Sequence, residues 1–176
     1  MNRPQPPSRR STRRRALLTA ALTGLAVLTA AAFWFQPWKL WLDTTVREAA
    51  PAATAERGGA RTLATGELIS HEHRTTGTVR ILELPDGSRT LRLEGLDTSN
   101  GPDLRVLITD APVKEGRAGW YVFDDGAHRS LGALKGNKGD QNYPLPADVD
   151  LGRYTSVSIW CDRFDVSFGA AALTRA

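Results

Sequence analysis

Cys161 is the only cysteine in 176 residues. With no second cysteine, and so no Cys-x-x-Cys pair, it can neither run an intramolecular dithiol cycle nor staple its own domain. Two chemistries stay open to it: a redox-active thiol, or a small buried apolar side chain whose sulfur is inert because burial raises its pKa. His71 and His73 stand two apart, a spacing that on a β-strand turns both imidazoles to one face. Together with Cys161 they supply the ligand types of a mononuclear copper centre. The weak axial methionine of such centres has no counterpart, since Met1 is the only methionine. Glu72 and Arg74, flanking the pair, equally suit an ordinary polar strand end. His128, beside Asp124-Asp125-Gly126, reads as a surface loop residue.

Other apparent motifs lack their context. Asn137-Lys138-Gly139-Asp140 spells the guanine-recognition tetrapeptide of GTPases, but no phosphate-binding glycine loop and no α/β pattern accompany it, so it reads as a turn. Asp148-Val149-Asp150-Leu151-Gly152 begins like a calcium loop and then lacks the remaining ligands. No Ser, His and Asp set lies in a nucleophile context, and a classical hydrolase is not indicated.

The elements that must position Cys161 and the histidines are strands. Leu91 and Leu93 alternate with Thr90, Arg92 and Glu94, and Leu104, Val106 and Ile108 alternate with Arg105, Leu107 and Thr109, the pattern of half-buried strands. Pro85-Asp86-Gly87-Ser88, between Val79–Leu84 and Thr90–Leu93, predicts a tight hairpin turn. Turn residues recur at Ser99-Asn100-Gly101-Pro102, Asp124-Asp125-Gly126, Lys135 to Gly139 and Asp150-Leu151-Gly152. Short strands at this spacing predict a mainly β fold, an antiparallel sandwich or barrel. Val157, Ile159 and Cys161 share one strand face, with Ser156, Ser158 and Trp160 on the other. Phe164, Val166 and Phe168 repeat the alternation, either as the second arm of a hairpin or as one strand passing through a bulge.

Ahead of these strands the chain is of another kind. From Ala16 to Phe35 it is free of charge, long enough at about 1.5 Å per residue to cross a hydrocarbon core of about 30 Å. Six of the 23 basic residues, Arg3 to Arg15, precede it; the remaining 17 face 19 acidic ones. The high pI therefore belongs to a tail, and no basic groove for nucleic acid is indicated. The positive-inside bias places that tail in the cytoplasm and everything after the span outside. A cleavable signal with a site at Ala30-Ala31-Ala32 uses the same residues, as does a twin-arginine export signal at Thr12 to Leu18. Phe33, Trp34, Phe35, Trp38 and Trp41 favour an uncleaved anchor with an interfacial aromatic belt. Pro37 either opens a short surface helix carrying Trp38, Trp41, Leu42 and Val46, or lies in a continued membrane helix. Ala49 to Thr65 reads as a linker. The expected organisation is a basic tail (1–15), a transmembrane helix (16–35), an interfacial segment and linker (36–64) and a β-domain (65–174).

Gly66-Glu67-Leu68, His73 to Val79, Gly101-Pro102-Asp103-Leu104, Gln141-Asn142-Tyr143-Pro144-Leu145-Pro146 and Ser156 to Gly169 occur in an order that resembles the successive motifs of the DM-thirteen domain. The Phe35 to Leu40 junction resembles that of its single-pass bacterial members. The resemblance implies a β-sandwich in envelope or extracellular proteins and a role in electron transfer centred on the cysteine that corresponds to Cys161; His73 falls inside a matched motif and His71 just before it. The expected function is thus a membrane-tethered extracytoplasmic domain with a redox thiol, partnered by the lipid bilayer and a redox or envelope protein. The competing expectation is a non-enzymatic envelope binding or adhesion module. The residues name no cofactor; copper and haem are the groups such a thiol could serve.

Overall fold

The apolar run folds as predicted. In the computed structural model, which describes residues 9–51 and 59–176, helix α1 runs Arg9–Phe35. Its Arg13–Phe35 portion has mean hydropathy 2.0 and no part buried against protein, long and apolar enough to cross a membrane. The hydroxyls of Thr19 and Thr29 donate to the carbonyls four residues back, Arg15 at 2.9 Å and Leu25 at 2.8 Å. The helix stops sharply. Gln36 turns left-handed (φ 46) while its N–H still reaches the Ala32 carbonyl at 2.9 Å, and Pro37 then opens a 3-10 turn, Pro37–Trp41. A membrane helix continued past Pro37 is thereby excluded.

Eleven strands follow: β1 (Thr45–Arg47), β2 (Arg61–Glu67), β3 (Ile69–Ser70), β4 (Thr76–Glu83), β5 (Arg89–Asp97), β6 (Leu104–Thr109), β7 (His128–Ala133), β8 (Lys138–Leu145), β9 (Ser156–Cys161), β10 (Val166–Ala172) and β11 (Thr174–Arg175). They form a six-stranded sheet, β1-β8-β5-β4-β2-β11, and a five-stranded sheet, β3-β10-β9-β6-β7. Every pairing is antiparallel except β1 with β8. The alternating leucines behave as expected: Leu91 and Leu93 from one sheet meet Val106, Ile108, Val157 and Ile159 from the other in one shared core, so the domain is a β-sandwich. The hairpin at Pro85–Ser88 forms, with Gly87 at φ 82 and Asp86 Oδ1 accepting the Ser88 N–H at 2.9 Å. The C-terminal segments resolve as a hairpin and a bulge at once: β9 pairs with β10, and the register shifts between Ser167 and Gly169.

The sheet begins before residue 65, because β1 and the start of β2 fall in the stretch read as interfacial segment and linker. Val46, expected on a helical stripe, is instead a strand residue opposite Gly139. Helical spacing over so few residues does not outweigh an open sheet edge offering backbone partners. Of the Ala49–Thr65 linker, 52–58 lie outside the described residues.

β9 is buried along its whole length. Its inner face joins the main core; its outer face lies under the loop from Asp110 to Ala127, where Trp160 packs with Leu107, Ala111, Phe123 and Ala170 in a second small core. Removing the Leu91 side chain, which is fully buried, leaves a cavity between the sheets, so Leu91→Ala should lower unfolding stability by about 2–5 kcal/mol in a denaturant titration. In the β9–β10 turn, Asp165 sits at φ 48. There Asp165→Gly should hold or raise the melting temperature, and Asp165→Val should cost about 1–2 kcal/mol.

Candidate functional site

Cys161 ends β9, opposite Leu104 of β6 and Val166 of β10, with its side chain on the inner face beside Ile159. It is 0% exposed and its thiol is free. Burial pushes the thiol pKa up. The backbone of Phe164, Arg163 and Asp103 acts the other way, the Glu72 carboxylate adds a smaller upward push, and the Phe164 N–H donates to the Cys161 carbonyl at 3.2 Å. The net direction is upward, so the resting group is the protonated thiol. These groups belong to the tight β9–β10 turn and to the residue before β6.

The histidines do not share a face. Strand β3 ends at Ser70, and residues 71–73 form a bend, so the two-residue repeat of a strand does not apply. His71 turns to the outer side of the five-stranded sheet. Its Nδ1 lies 2.8 Å from Ser167 Oγ and its Nε2 3.1 Å from the Lys114 carbonyl, and its ring stacks on Phe123 with centroids 5.6 Å apart. A carbonyl can only accept, so Nε2 carries the hydrogen and Nδ1 accepts from the Ser167 hydroxyl. Ser158 Oγ, 2.9 Å from Ser167 Oγ, then completes a one-way chain, Ser158 to Ser167 to His71 to Lys114. Both nitrogens being engaged, no lone pair of His71 is left for a metal. His73 turns the other way and lays its ring on Phe168 of the main core, centroids 3.9 Å apart, with Nε2 3.7 Å from the Glu72 carboxylate. Among the described residues no three His, Cys, Asp or Glu side chains gather to hold a metal ion. The copper set of His71, His73 and Cys161 is therefore not assembled.

The serine row was missed in the sequence because Ser156 and Ser158 look like the solvent face of an alternating strand. Trp160 on that same face is the signal that it is covered. Ser156 Oγ donates to the Ala111 carbonyl at 2.6 Å, fastening the covering loop. The Asn137 to Asp140 tetrapeptide is also more than a turn: Asn137 Oδ1 accepts the Thr44 N–H at 2.7 Å, and its Nδ2 donates to Asp43 Oδ1 at 2.7 Å and the Thr98 carbonyl at 2.8 Å. His128 is exposed, as expected.

Burial lowers the pKa of both His71 and His73, opposed by the Lys114 carbonyl in the first case and by Glu72 in the second. Each histidine is held neutral in the fold and binds a proton more readily in the unfolded chain, whose histidine pKa is about 6.5. Their contribution is thus fully present above about pH 6.5 and is lost as pH falls below it. The midpoint of denaturant unfolding should drop between pH 7 and pH 5, above the window near pH 4 where carboxylates titrate. His71→Gln, which keeps hydrogen-bonding groups without a titrating ring, should flatten that drop. An unchanged slope in the variant would contradict the assignment.

Residues 67–173 match the family described as Electron transfer DM13. No curated protein and no solved structure matches the chain. The matched span starts within β2, runs to the end of β10, and contains Cys161, both histidines and the serine row. It is more than half of the sequence, so the chain belongs to the Electron transfer DM13 family.

Proposed function

We propose that this chain is a membrane-tethered electron-transfer module displayed outside the cytoplasm, with Cys161 as its redox centre. The observation that carries the reading is a fully buried sulfur that has no disulfide partner and is closed in at the end of β9 between β6 and β10. The family's electron-transfer description supports the same locus. Tethering rests on α1 and on the arginines before it. Because the thiol is sealed, oxidation takes the form of one electron leaving to a one-electron acceptor in the envelope while the S–H proton is released to solvent, which leaves a thiyl radical at Cys161. A mixed disulfide would require the β9–β10 turn to open first.

Treating the folded chain, purified from native membranes, with a one-electron oxidant should give a sulfur-centred radical signal at Cys161 that is absent in Cys161→Ser. A colourless, metal-free protein whose folded thiol resists oxidants would sink the redox reading. Complete burial of Cys161 is also the observation that favours the alternative, a non-enzymatic envelope binding module in which the cysteine only fills the core. In that case Cys161→Ser, if it folds, should rescue a deletion strain fully. Failure to rescue would remove this alternative.

A further inference from the structure

The stretch Lys135 to Asp140 touches one short piece of chain at every position, and that piece is Asp43 to Glu48, just beyond the apolar helix. Lys135 Nζ pairs with Glu48 Oε1 at 2.7 Å. Gly136 has no room for a side chain, since a Cβ there would strike the Thr44 carbonyl and come within 2.8 Å of the Val46 side chain. Asn137 holds the Thr44 N–H and the Asp43 carboxylate. The Lys138 N–H donates to the Thr44 carbonyl at 3.2 Å, and its Nζ meets Asp43 Oδ2 at 2.9 Å. Gly139, at φ 93, would drive a Cβ into the Val46 carbonyl. The Asp140 carbonyl accepts the Glu48 N–H at 3.0 Å. From inside the domain the receiving loop is itself braced: the fully buried Gln141 accepts the N–H groups of Lys135 and Gly136, at 3.1 and 3.3 Å, and donates to the Gly136 carbonyl at 2.6 Å.

The segment is held upstream as well. Asn100 Nδ2 donates to the Leu42 carbonyl at 3.0 Å, and Lys39 Nζ reaches the Pro102 carbonyl at 3.4 Å. Polar groups do the fastening, while Trp38 and Leu42 stay exposed, at 44% and 57%. Covalent reach then sets a limit. Between Phe35, the last helical residue, and Trp38 stand only Gln36 and Pro37. Three Cα steps span at most about 10 Å. The polar zone of one leaflet is about 5–8 Å deep. A flexible spacer over 36–64 would instead let the domain wander about 30 Å from the helix end. The Ala/Gly/Pro-rich stretch is no such spacer, because it connects β1 to β2 within one sheet.

We propose that Asp43–Glu48, clasped by Lys135–Asp140, holds the β-sandwich down at the lipid headgroups, with the lipid surface as the partner of Trp38 and Leu42. The proposal rests on α1 being the membrane anchor. Interfacial tryptophan and leucine, flanked by Lys39, suit that depth. The domain is then confined to meeting molecules at headgroup level, and a partner far out in the envelope lies beyond its reach.

The test uses the full chain in phosphatidylcholine vesicles doped with a headgroup-nitroxide lipid. A fluorophore is placed on Ser99→Cys, next to Asn100; Cys161, fully buried, does not compete for the label. A second chain carries a 20-residue Gly/Ser insertion between Gln36 and Pro37 and leaves every domain residue unchanged. The label should be quenched at least about threefold more in the uninserted chain, and Gly139→Val should lower quenching toward the inserted level by unseating β1. Equal quenching with and without the insertion, in chains that sediment with the vesicles, overturns the clasp and leaves the anchor standing. Failure of the uninserted chain to sediment overturns the anchor reading, and the clasp with it.

Discussion

Burial of β9 on both faces is the condition on which the rest of the sandwich turns. A strand covered on one side needs only alternation, but every side chain from Ser156 to Cys161 must find a partner. Inward, Val157 and Ile159 find apolar ones. Outward, Ser156 and Ser158 must satisfy their hydroxyls, and an unmet hydroxyl costs about 1–3 kcal/mol. The loop from Asp110 to Ala127 meets that demand through the Ala111 carbonyl, and His71 meets it through Ser167. Covering the outer face thereby fixes the loop, the tautomer of His71 and the end of β9 where Cys161 sits.

For that cysteine two effects compete. Desolvation disfavours charge on the sulfur, and the backbone of Phe164, Arg163 and Asp103 favours it, with desolvation the larger. The result is a protonated thiol at rest. Sealing also separates electrons from atoms: an electron can leave a buried sulfur, but another chain's cysteine cannot reach it while the β9–β10 turn is closed.

What could be read from the sequence was what local chemistry decides. Pro85-Asp86-Gly87-Ser88 forms its turn from its own residues, with Asp86 and Gly87 each doing what their types permit. Leu91 and Leu93 show their core face by alternation alone, and the motif order from Gly66 to Gly169 anticipated the family. Nonlocal pairings were hidden. Val46 joins Gly139 across 93 residues, and nothing near Val46 announces a strand. The expected common face of His71 and His73 assumed a strand that ends at Ser70. Ser158 reads as exposed until the loop that covers it is seen. Gly136 and Gly139 carried a signal without a key, since glycines in a turn and glycines making room for another strand look alike in one dimension.

The clasp is small, and its energetics depend on how its ties differ. Three parallel pairs join β1 to β8, and parallel ladders are the less stable kind per residue. Of the ion pairs, Lys138 with Asp43 leaves the two side chains 38% and 58% exposed and Lys135 with Glu48 41% and 33%. Pairs of this exposure contribute little and weaken further with salt. Asn137 is different, being 1% exposed and joining Thr44, Asp43 and Thr98 at once. Removing its side chain would strand buried partners, so it dominates where the exposed charges only orient. The family match begins at residue 67, yet the edge of β8 is cut to receive a strand from before it. In this chain Asp43–Glu48, ahead of the matched span, is part of the sheet's edge.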